Sequence, residues 1–569
     1  MDEKLLGKIS DSSSEENYSS FPEGYEIGKT KYVIITGSVI SGIGKGIFSS
    51  AIGKTLQDRG LKVAPIKVEA YLNVDAGTLN PYRHGEVFVL DDGTETDMDL
   101  GSYERFLNMN LSKDSFITHG QVYQRIIAKE RKGLYNGRDV QYIPHVTGEV
   151  KFVLRNLAMK SKADVVLVEI GGTVGDYENL FAMESAREMI YEEGEQNVCL
   201  VNLTYIIEPN HLGEFKSKAA QLGLRHLMSL GMQPDIIVCR SQHPVTKTIR
   251  EKISMNANVH IDRVFNAYDV GNIYSLPLFF REQGIDEAIM KVLGWDKRFK
   301  VNGSKPLKNW TNKNTAEKKG EVTIAICGKY TGSIDTYISI VKALEHCSTE
   351  LKTNVKIKWV ETTSLEQGKT RVEEELKGVD GILIPGGFGT RGIEGKIMCA
   401  GYARKNAIPF LGICYGFQMA VVEFARNVCG MKGACTEEVK KDPPNNVICI
   451  LPEQEEVEDL GGTLRLGGYN MRIKKGTKAW DLYGKKETVR ERFRHRFNVN
   501  TKFIDMLEKN GMVFSGMAPT KRIMQVLELP KHPFFVGTQY HAEFTSRPLN
   551  PNPVYFGFVK AAVENKNKK

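Results

Sequence analysis

Residues 31–46, KYVIITGSVISGIGKG, decide how the chain is read. An apolar, β-branched run ends in a glycine-rich turn, and IFSSAIGKTLQDRG (47–60) follows with helical spacing as far as Gly60. Strand, glycine turn and helix in that order make a phosphate corner. Gly42, Gly44 and Gly46 let backbone N–H groups face an anion, the helix N-terminus adds partial positive charge, and Lys45 reaches the outer phosphates. The turn departs from the common phosphate loop, because six residues rather than four lie between Gly37 and Gly44, and Gly46 stands where Ser or Thr usually follows the lysine. A magnesium ion at this corner therefore needs carboxylates from elsewhere. Asp97 and Asp99 in ETDMDLG are candidates, as is Glu169, which sits at the end of the apolar run VVLVEI where open parallel sheets place their ligands.

Working outward, apolar β-branched runs recur at 61–68, 163–170, 197–206 and 234–239, separated by stretches of helical spacing. That alternation predicts an α/β domain with a parallel sheet covered on both faces. The same grammar restarts at VTIAICG (322–328) and continues through GILIPGG, IPFLGIC and PFFVGTQYH. Between the two blocks, residues 296–320 carry eight Lys or Arg against two acids, mixed with Gly, Pro, Asn and Ser, and read as a solvated linker. Residues 1–29 are Ser- and Glu-rich and read as a disordered leader, and 564–569 as a polar tail. Residues 436–462, with paired prolines and clustered acids, read as a mobile loop over the second site or a plain surface insertion.

A length of 569 residues excludes a small binding module, and 41% hydrophobic with 26% charged residues gives enough apolar material for more than one core. The net charge of +8 comes largely from the linker, so it is weak evidence for a nucleic-acid partner. No run is long enough to span a membrane, and the first residues lack the apolar core of a secretory signal; an intracellular protein is expected. Nine cysteines without C-x-x-C spacing argue against a disulfide framework or a zinc site, and for a reducing compartment.

A second motif lies in GICYGF (412–417), where G-x-C-x-G at a strand-to-helix turn projects Cys414 from a sharp elbow. A thiol at a helix N-terminus is favoured as the thiolate nucleophile. In QYHAEF (539–544), His541 and Glu543 are two apart, so in an extended segment both face one side and the carboxylate orients the imidazole as base. PGGFG (385–389) offers backbone N–H groups for an oxyanion.

With GSVISGIGKG, the stretch NVDAGTLNPYRHGEVFVLDDGTETDMDLGSYERF (73–106), VLVEIGGTVGD, GEFKSKAAQ, IPGGFGTRG, LGICYGFQMA, LGGTLRLG and QYHAEFTSRP in that order, residues 31–562 resemble the CTP synthase family. The resemblance implies an N-terminal P-loop-like, dethiobiotin-synthetase-like amidoligase domain at 30–295 and a C-terminal flavodoxin-like class I glutaminase domain at 321–563. It implies that ATP phosphorylates O4 of UTP and that ammonia displaces the phosphate to give CTP. Lys45 and Lys67 would contact ATP phosphates, Asp269 the adenine, and Asp99 and Glu169 the Mg2+. Ser41, Lys216, Lys218, Gln221 and Lys252 would hold UTP, and Asp176 and Glu178 the pyrimidine and feedback-inhibitor region. In the second domain Cys414 would form a thioester with glutamine, with His541 and Glu543 as its base pair, Gly387 and Tyr415 as oxyanion hole, and Gly387 and Arg465 contacting glutamine. Arg391 and Glu394 would contact GTP, an activator. A cytoplasmic homotetramer, further assembly into filaments and inhibition by CTP are likewise implied.

The chain departs from the family pattern at Glu69 and Ala70 in KVEAYLN, in KSKAAQ (216–221), in NLFAMES (179–185) and at Tyr142. These positions bear on nucleotide affinity and feedback. Another amidoligase fused to a glutaminase is a competing reading, opposed by the Lys216, Lys218 and Lys252 set. A structural homologue with little turnover is opposed by intact Lys45, Cys414, His541 and Glu543.

Overall fold

The computed structural model describes residues 19–209, 213–295, 305–440, 444–454 and 461–568. The chain divides into two compact units, one made of residues up to 75 with 102–315 and the other of 76–101 with 316–569. The grouping does not follow chain order: residues 76–101, expected to belong with the first block, pack with the second.

In the first unit, seven strands run β1 (Lys31–Ser38), β2 (Val63–Glu69), β3 (Phe116–Thr118), β4 (Val165–Ile170), β5 (Val198–Tyr205), β6 (Ile236–Ser241) and β7 (Val264–Tyr268), in the spatial order β3-β2-β4-β1-β5-β6-β7. All pair in parallel. β1 is buried from Tyr32 to Ser38 because helices cover both faces, as its continuous apolar run requires. The order reverses at β1, so the loop leaving its carboxyl end lies at the switch point where such sheets bind ligands.

The second unit is built on strands β8 (Glu321–Gly328), β9 (Asn354–Glu361), β10 (Gly381–Ile384), β11 (Phe410–Ile413), β12 (Arg465–Ile473), β13 (Thr488–His495), β14 (Val513–Met517), β15 (Met524–Glu528) and β16 (Phe535–Thr538), ordered β9-β8-β10-β11-β16-β15-β14-β12-β13. The first five are parallel. The other four extend the sheet in antiparallel fashion, which the expectation of a parallel sheet did not include.

Residues 76–101 dock on β12 and β13. Arg490 pairs with Asp91 at 3.0 Å, Arg492 donates to Val89 O at 3.1 Å and Arg494 pairs with Glu95 at 2.7 Å. A Cβ at Gly467 would stand 2.6 Å from Gly93 N, so glycine is needed for this approach.

Three boundary readings change. Residues 19–29 are ordered: Arg155, fully buried, lies 3.7 Å over the Phe21 ring and bonds Ser20, while Tyr25 donates to Glu193 at 2.9 Å. An aromatic anchor and a buried cation outweigh the polar composition there; residues 1–18 lie outside the described residues. Within the expected linker, Lys305–Asn314 is a helix that buries Leu307, Thr311 and Asn314, with Trp310 against Phe106 and Tyr274. Its apolar stripe is sparse but sufficient for one face; residues 296–304 lie outside the described residues. The final helix, Pro553–Asn567, runs into the expected tail. In the 436–462 stretch, Asn446–Ile450 is a strand, and 441–443 and 455–460 lie outside the described residues.

Candidate active sites

In the second unit the geometry begins with backbone strain. Cys414 follows β11, caps the helix Tyr415–Asn427 and has φ 49° and ψ −95°, a conformation L-residues rarely adopt. The turn is that tight because its flanking glycines touch backbone. A Cβ on Gly416 would meet Ile384 O at 2.2 Å, and one on Gly412 would meet Gly416 O at 2.7 Å. The expected elbow is therefore present, with Cys414 almost fully buried.

β16 stops at Thr538 and a 3-10 turn spans Ala542–Thr545, so the segment carrying the histidine is not extended as expected. The pair forms nonetheless: His541 Nδ1 and Glu543 Oε1 are 2.7 Å apart. The second carboxylate oxygen accepts from Tyr555 at 3.4 Å, and the imidazole stacks on Phe544 at 4.9 Å between centroids. Burial opposes the imidazolium, but the Glu543 carboxylate and the Cys414 sulfur together outweigh it and push the His541 pKa up to about 10. A Cβ placed on Gly386 would be 2.8 Å from His541 Cε1 and 3.6 Å from both His541 Nε2 and Cys414 Cβ, so the base and the nucleophile face each other across this glycine. Cys414, His541, Glu543, Gly386, Gly387, Phe388, Tyr330, Arg494 and Phe544 line one cavity of about 190 Å3.

The loop at 386–389 is clamped from behind. Gly389 N donates to Glu438 at 2.5 Å, Tyr415 OH donates to Gly389 O at 2.8 Å, and Lys329 donates to Phe388 O. Lys396, fully buried, lies 4.8 Å from the Tyr415 ring; burial and the nearby Lys329 bring its pKa down to about 7. Burial raises Glu438.

Other second-unit expectations divide. Arg391 donates to Lys329 O at 3.2 Å and lies 5.7 Å from the ring of Tyr330, which lines the cavity; Arg391 itself does not. Glu394 is turned to Arg426, 2.7 Å away. Arg465 is not among the cavity's lining residues. Its guanidinium packs over Tyr469 at 4.3 Å and Phe493 at 5.1 Å, and Nη1 is buried without a hydrogen-bond partner. Arg494 lines the cavity and lies 5.0 Å over Phe388. Sequence reading passed over Arg494, Glu438 and the two glutamines Gln418 and Gln539; the Gln four residues after the nucleophile and the Gln two before the histidine were the available signals.

In the first unit Gly44 has φ 94° and Gly42 φ 68°, and the helix Lys45–Asp58 begins directly after Gly44. Lys45 Nζ donates to Gly172 O at 2.6 Å, across the switch point. Lys67 pairs with Glu69 at 2.8 Å and lies 3.8 Å from Glu169, and Tyr103 OH donates to Glu169. Glu169 is buried at the carboxyl end of β4, in register with Ile35 of β1. An oxygen donor held among a lysine and a phenol fits a Mg2+ ion that takes most of its other ligands from phosphate and water. Asp99 belongs to the 76–101 segment, and its N–H donates to Asp97 at 3.0 Å.

Asp269 and Gly44 share a cavity of about 180 Å3 with Phe48, Tyr268 and Phe280, and Arg240 pairs with Asp269. Asp176 accepts from Thr173 N at 2.7 Å, and Glu178 lines a separate apolar cavity of about 660 Å3 with Tyr142, Phe181 and His119. Ser41, Lys216, Lys218 and Lys252 are exposed, and Gln221 donates to Ser217 at 3.1 Å. These lysines do not line the Glu178 cavity.

Comparison with known proteins decides the family. The model for the CTP synthase N-terminus matches residues 31–295, and that for class-I glutamine amidotransferases matches 333–561. A CTP synthase of Pyrococcus abyssi is 50% identical over 544 residues, 95% of this chain and 99% of that protein. The chain belongs to the CTP synthase family. A CTP synthase of Caldanaerobacter subterraneus is 47% identical over 538 residues, 94% of this chain and 99% of that protein. The solved glutaminase domain of a Trypanosoma brucei CTP synthase is 36% identical, covers 43% of this chain and 94% of its own, and superposes with a TM-score of 0.40. As a CTP synthase, the chain is a glutamine-dependent ligase that aminates UTP to CTP, with ATP as the energy source and Mg2+ as the ion that accompanies ATP in this family. No helix among the described residues is long and apolar enough to cross a membrane.

Proposed function

We propose that the two units divide the reaction. In the second, Cys414 attacks the glutamine carboxamide as a thiolate whose proton is held on His541, itself fixed at Nδ1 by Glu543. The C–N bond then breaks, ammonia leaves with that proton, and water hydrolyses the thioester to glutamate. Gly387 and Tyr415 N–H groups take the oxyanion. The observation that carries this reading is the strained Cys414 at φ 49° facing His541 across Gly386. Arg494, lining the cavity, is better placed than Arg465 to meet the glutamine carboxylate.

In the first unit we assign Gly42, Gly44, Lys45, Gly46 and Lys67 to the ATP phosphates and Asp269 to the adenine end, supported by the cavity that joins Asp269 to Gly44. Glu169 and Asp99 are assigned to the Mg2+, which supplies charge neutralisation at the phosphates when bound with ATP. Ser41, Lys216, Lys218, Gln221 and Lys252 are assigned to the UTP triphosphate, and Asp176 and Glu178 to the pyrimidine and to CTP as inhibitor. ATP phosphorylates O4 of UTP, and ammonia delivered unprotonated from the second unit displaces phosphate at C4. GTP activates glutamine use through Arg391; Glu394, tied to Arg426, would have to exchange partners to join it. Tetramers, filaments and a cytoplasmic location complete the reading.

The test is CTP formation from UTP, ATP and Mg2+ with glutamine or ammonia, with and without GTP. CTP from both donors, with GTP enhancing only glutamine use, is expected. Glutamine hydrolysis without CTP from either donor would overturn the assignment of the first unit.

A further inference from the structure

The sulfur of Cys414 has a neighbour that the division of labour above does not use. Gln539, fully buried, directs Nε2 at Cys414 Sγ over 3.5 Å, and Cys414 Sγ also faces Arg494 O at 3.4 Å. An amide side chain can be turned either way, so the direction of this bond has to be earned from the network. A backbone carbonyl settles it. Phe497 O can only accept, and Gln418 Nε2 donates to it at 3.1 Å. The same Gln418 Nε2 stands 3.3 Å from Gln539 Oε1, which must therefore be oxygen, leaving Gln539 an N–H facing the sulfur. Gln539 N is itself fixed on Gln525 O at 2.9 Å, so the backbone beneath this amide is held by β15.

The two neighbours of the sulfur favour opposite states. Arg494 O accepts from a neutral S–H and repels a thiolate; Gln539 N–H donates to a thiolate and has little to offer a thiol. Neither Gln539 nor Gln418 lines the cavity that admits glutamine, so both act from behind the nucleophile.

We propose that Gln539 is a catalytic hydrogen-bond donor to the Cys414 thiolate, oriented through Gln418 from the Phe497 carbonyl. With the S–H proton held on His541 Nε2, the sulfur gives up its bond to Arg494 O and gains that of Gln539, until the electron pair is spent in the S–C bond of the thioester. His541 and Gln539 both leave the short segment between β16 and the 3-10 turn, yet act on different species: His541 holds the proton, Gln539 stabilises what is left.

This rests on Cys414 being the nucleophile, and the experiment separates the two claims. The full-length protein is alkylated with iodoacetamide across a pH series, and the labelled residue is identified by peptide mapping. Label on another cysteine in place of Cys414 would sink the nucleophile assignment itself, and Gln539 with it. With Cys414 labelled, Gln539→Met, equal in length but without the donor, is expected to raise the pH of half-maximal alkylation by about one unit. It is also expected to lower glutamine kcat about tenfold with KM unchanged. Gln418→Met keeps the Gln539 N–H but frees it to turn, and is expected to give a smaller shift in the same direction; it decides the matter if Gln539→Met does not fold. An alkylation profile that overlays the wild type, or an effect confined to KM, overturns the proposal.

Discussion

The two sites are prepared in different ways. Around Cys414 the backbone does the placing: two glycines at touching distance force the elbow, a 3-10 turn brings His541 to it, and buried carboxylate and amide groups hold each side chain. In the first unit the charges hold one another. Lys45 rests on Gly172 O and Lys67 on Glu69 and Glu169, while the lysines assigned to the second nucleotide are exposed. The group that reacts in glutamine is a neutral carboxamide and brings no charge to organise the residues around Cys414, so the protein must supply their geometry in advance. A polyphosphate brings enough charge to draw lysines out of resting ion pairs, so the site can wait in a self-neutralised form.

The sharpest way to test that contrast is Cys414→Ala. Loss of glutamine-driven CTP formation on the order of 10⁵–10⁶-fold is expected, with ammonia-driven formation retained, because the nucleophile serves only ammonia release. Failure of ammonia to sustain synthesis would mean the two sites are not independent. Next, Glu543→Gln removes the carboxylate that orients His541 and favours its cation; a fall of roughly 10³–10⁴-fold in glutamine hydrolysis is expected, read as kcat at fixed pH. Lys45→Ala should lower synthesis from both donors equally, by about 10²–10³-fold. Equal rates with ammonia in mutant and wild type would remove Lys45 from the phosphate site.

The smallest effect is on stability. His541 carries a folded pKa near 10 against an ordinary 6.5, so the folded state binds the extra proton between those values. Its contribution is complete below about pH 6.5 and is lost as pH rises through 10. Urea midpoints of the wild type should therefore decline across that window more steeply than those of Glu543→Gln, whose imidazole keeps only the Cys414 sulfur to set against burial. Parallel declines would show that Glu543 does not govern the histidine.

Much of this was legible in the residues. Continuous β-branched runs gave the parallel strands, and GICYGF gave the elbow with its nucleophile. The antiparallel half was hidden for a physical reason. In β13, TVRERFRH does alternate, but two of its four inward positions are Glu491 and His495, buried with hydrogen-bond partners instead of apolar contacts. A pattern search built on hydrophobicity cannot recognise a carboxylate satisfied by Tyr483, Thr545 and Asn552. Gln539 was invisible for a related reason: an amide carries no charge, and its role depends on which way a backbone carbonyl turns it. Arg465 was named from its motif, yet the aromatic faces of Tyr469 and Phe493 hold it outside the cavity.

The excursion at 76–101 also bears on synthesis of the chain. Asp91 and Glu95 leave the ribosome nearly four hundred residues before Arg490 and Arg494, the partners that hold them. For most of translation this loop has no surface to dock on, and the second unit cannot finish until its first contribution, made long before, comes back. A single cut after residue 315 would leave that loop on the fragment that lacks β12 and β13, the strands it docks on.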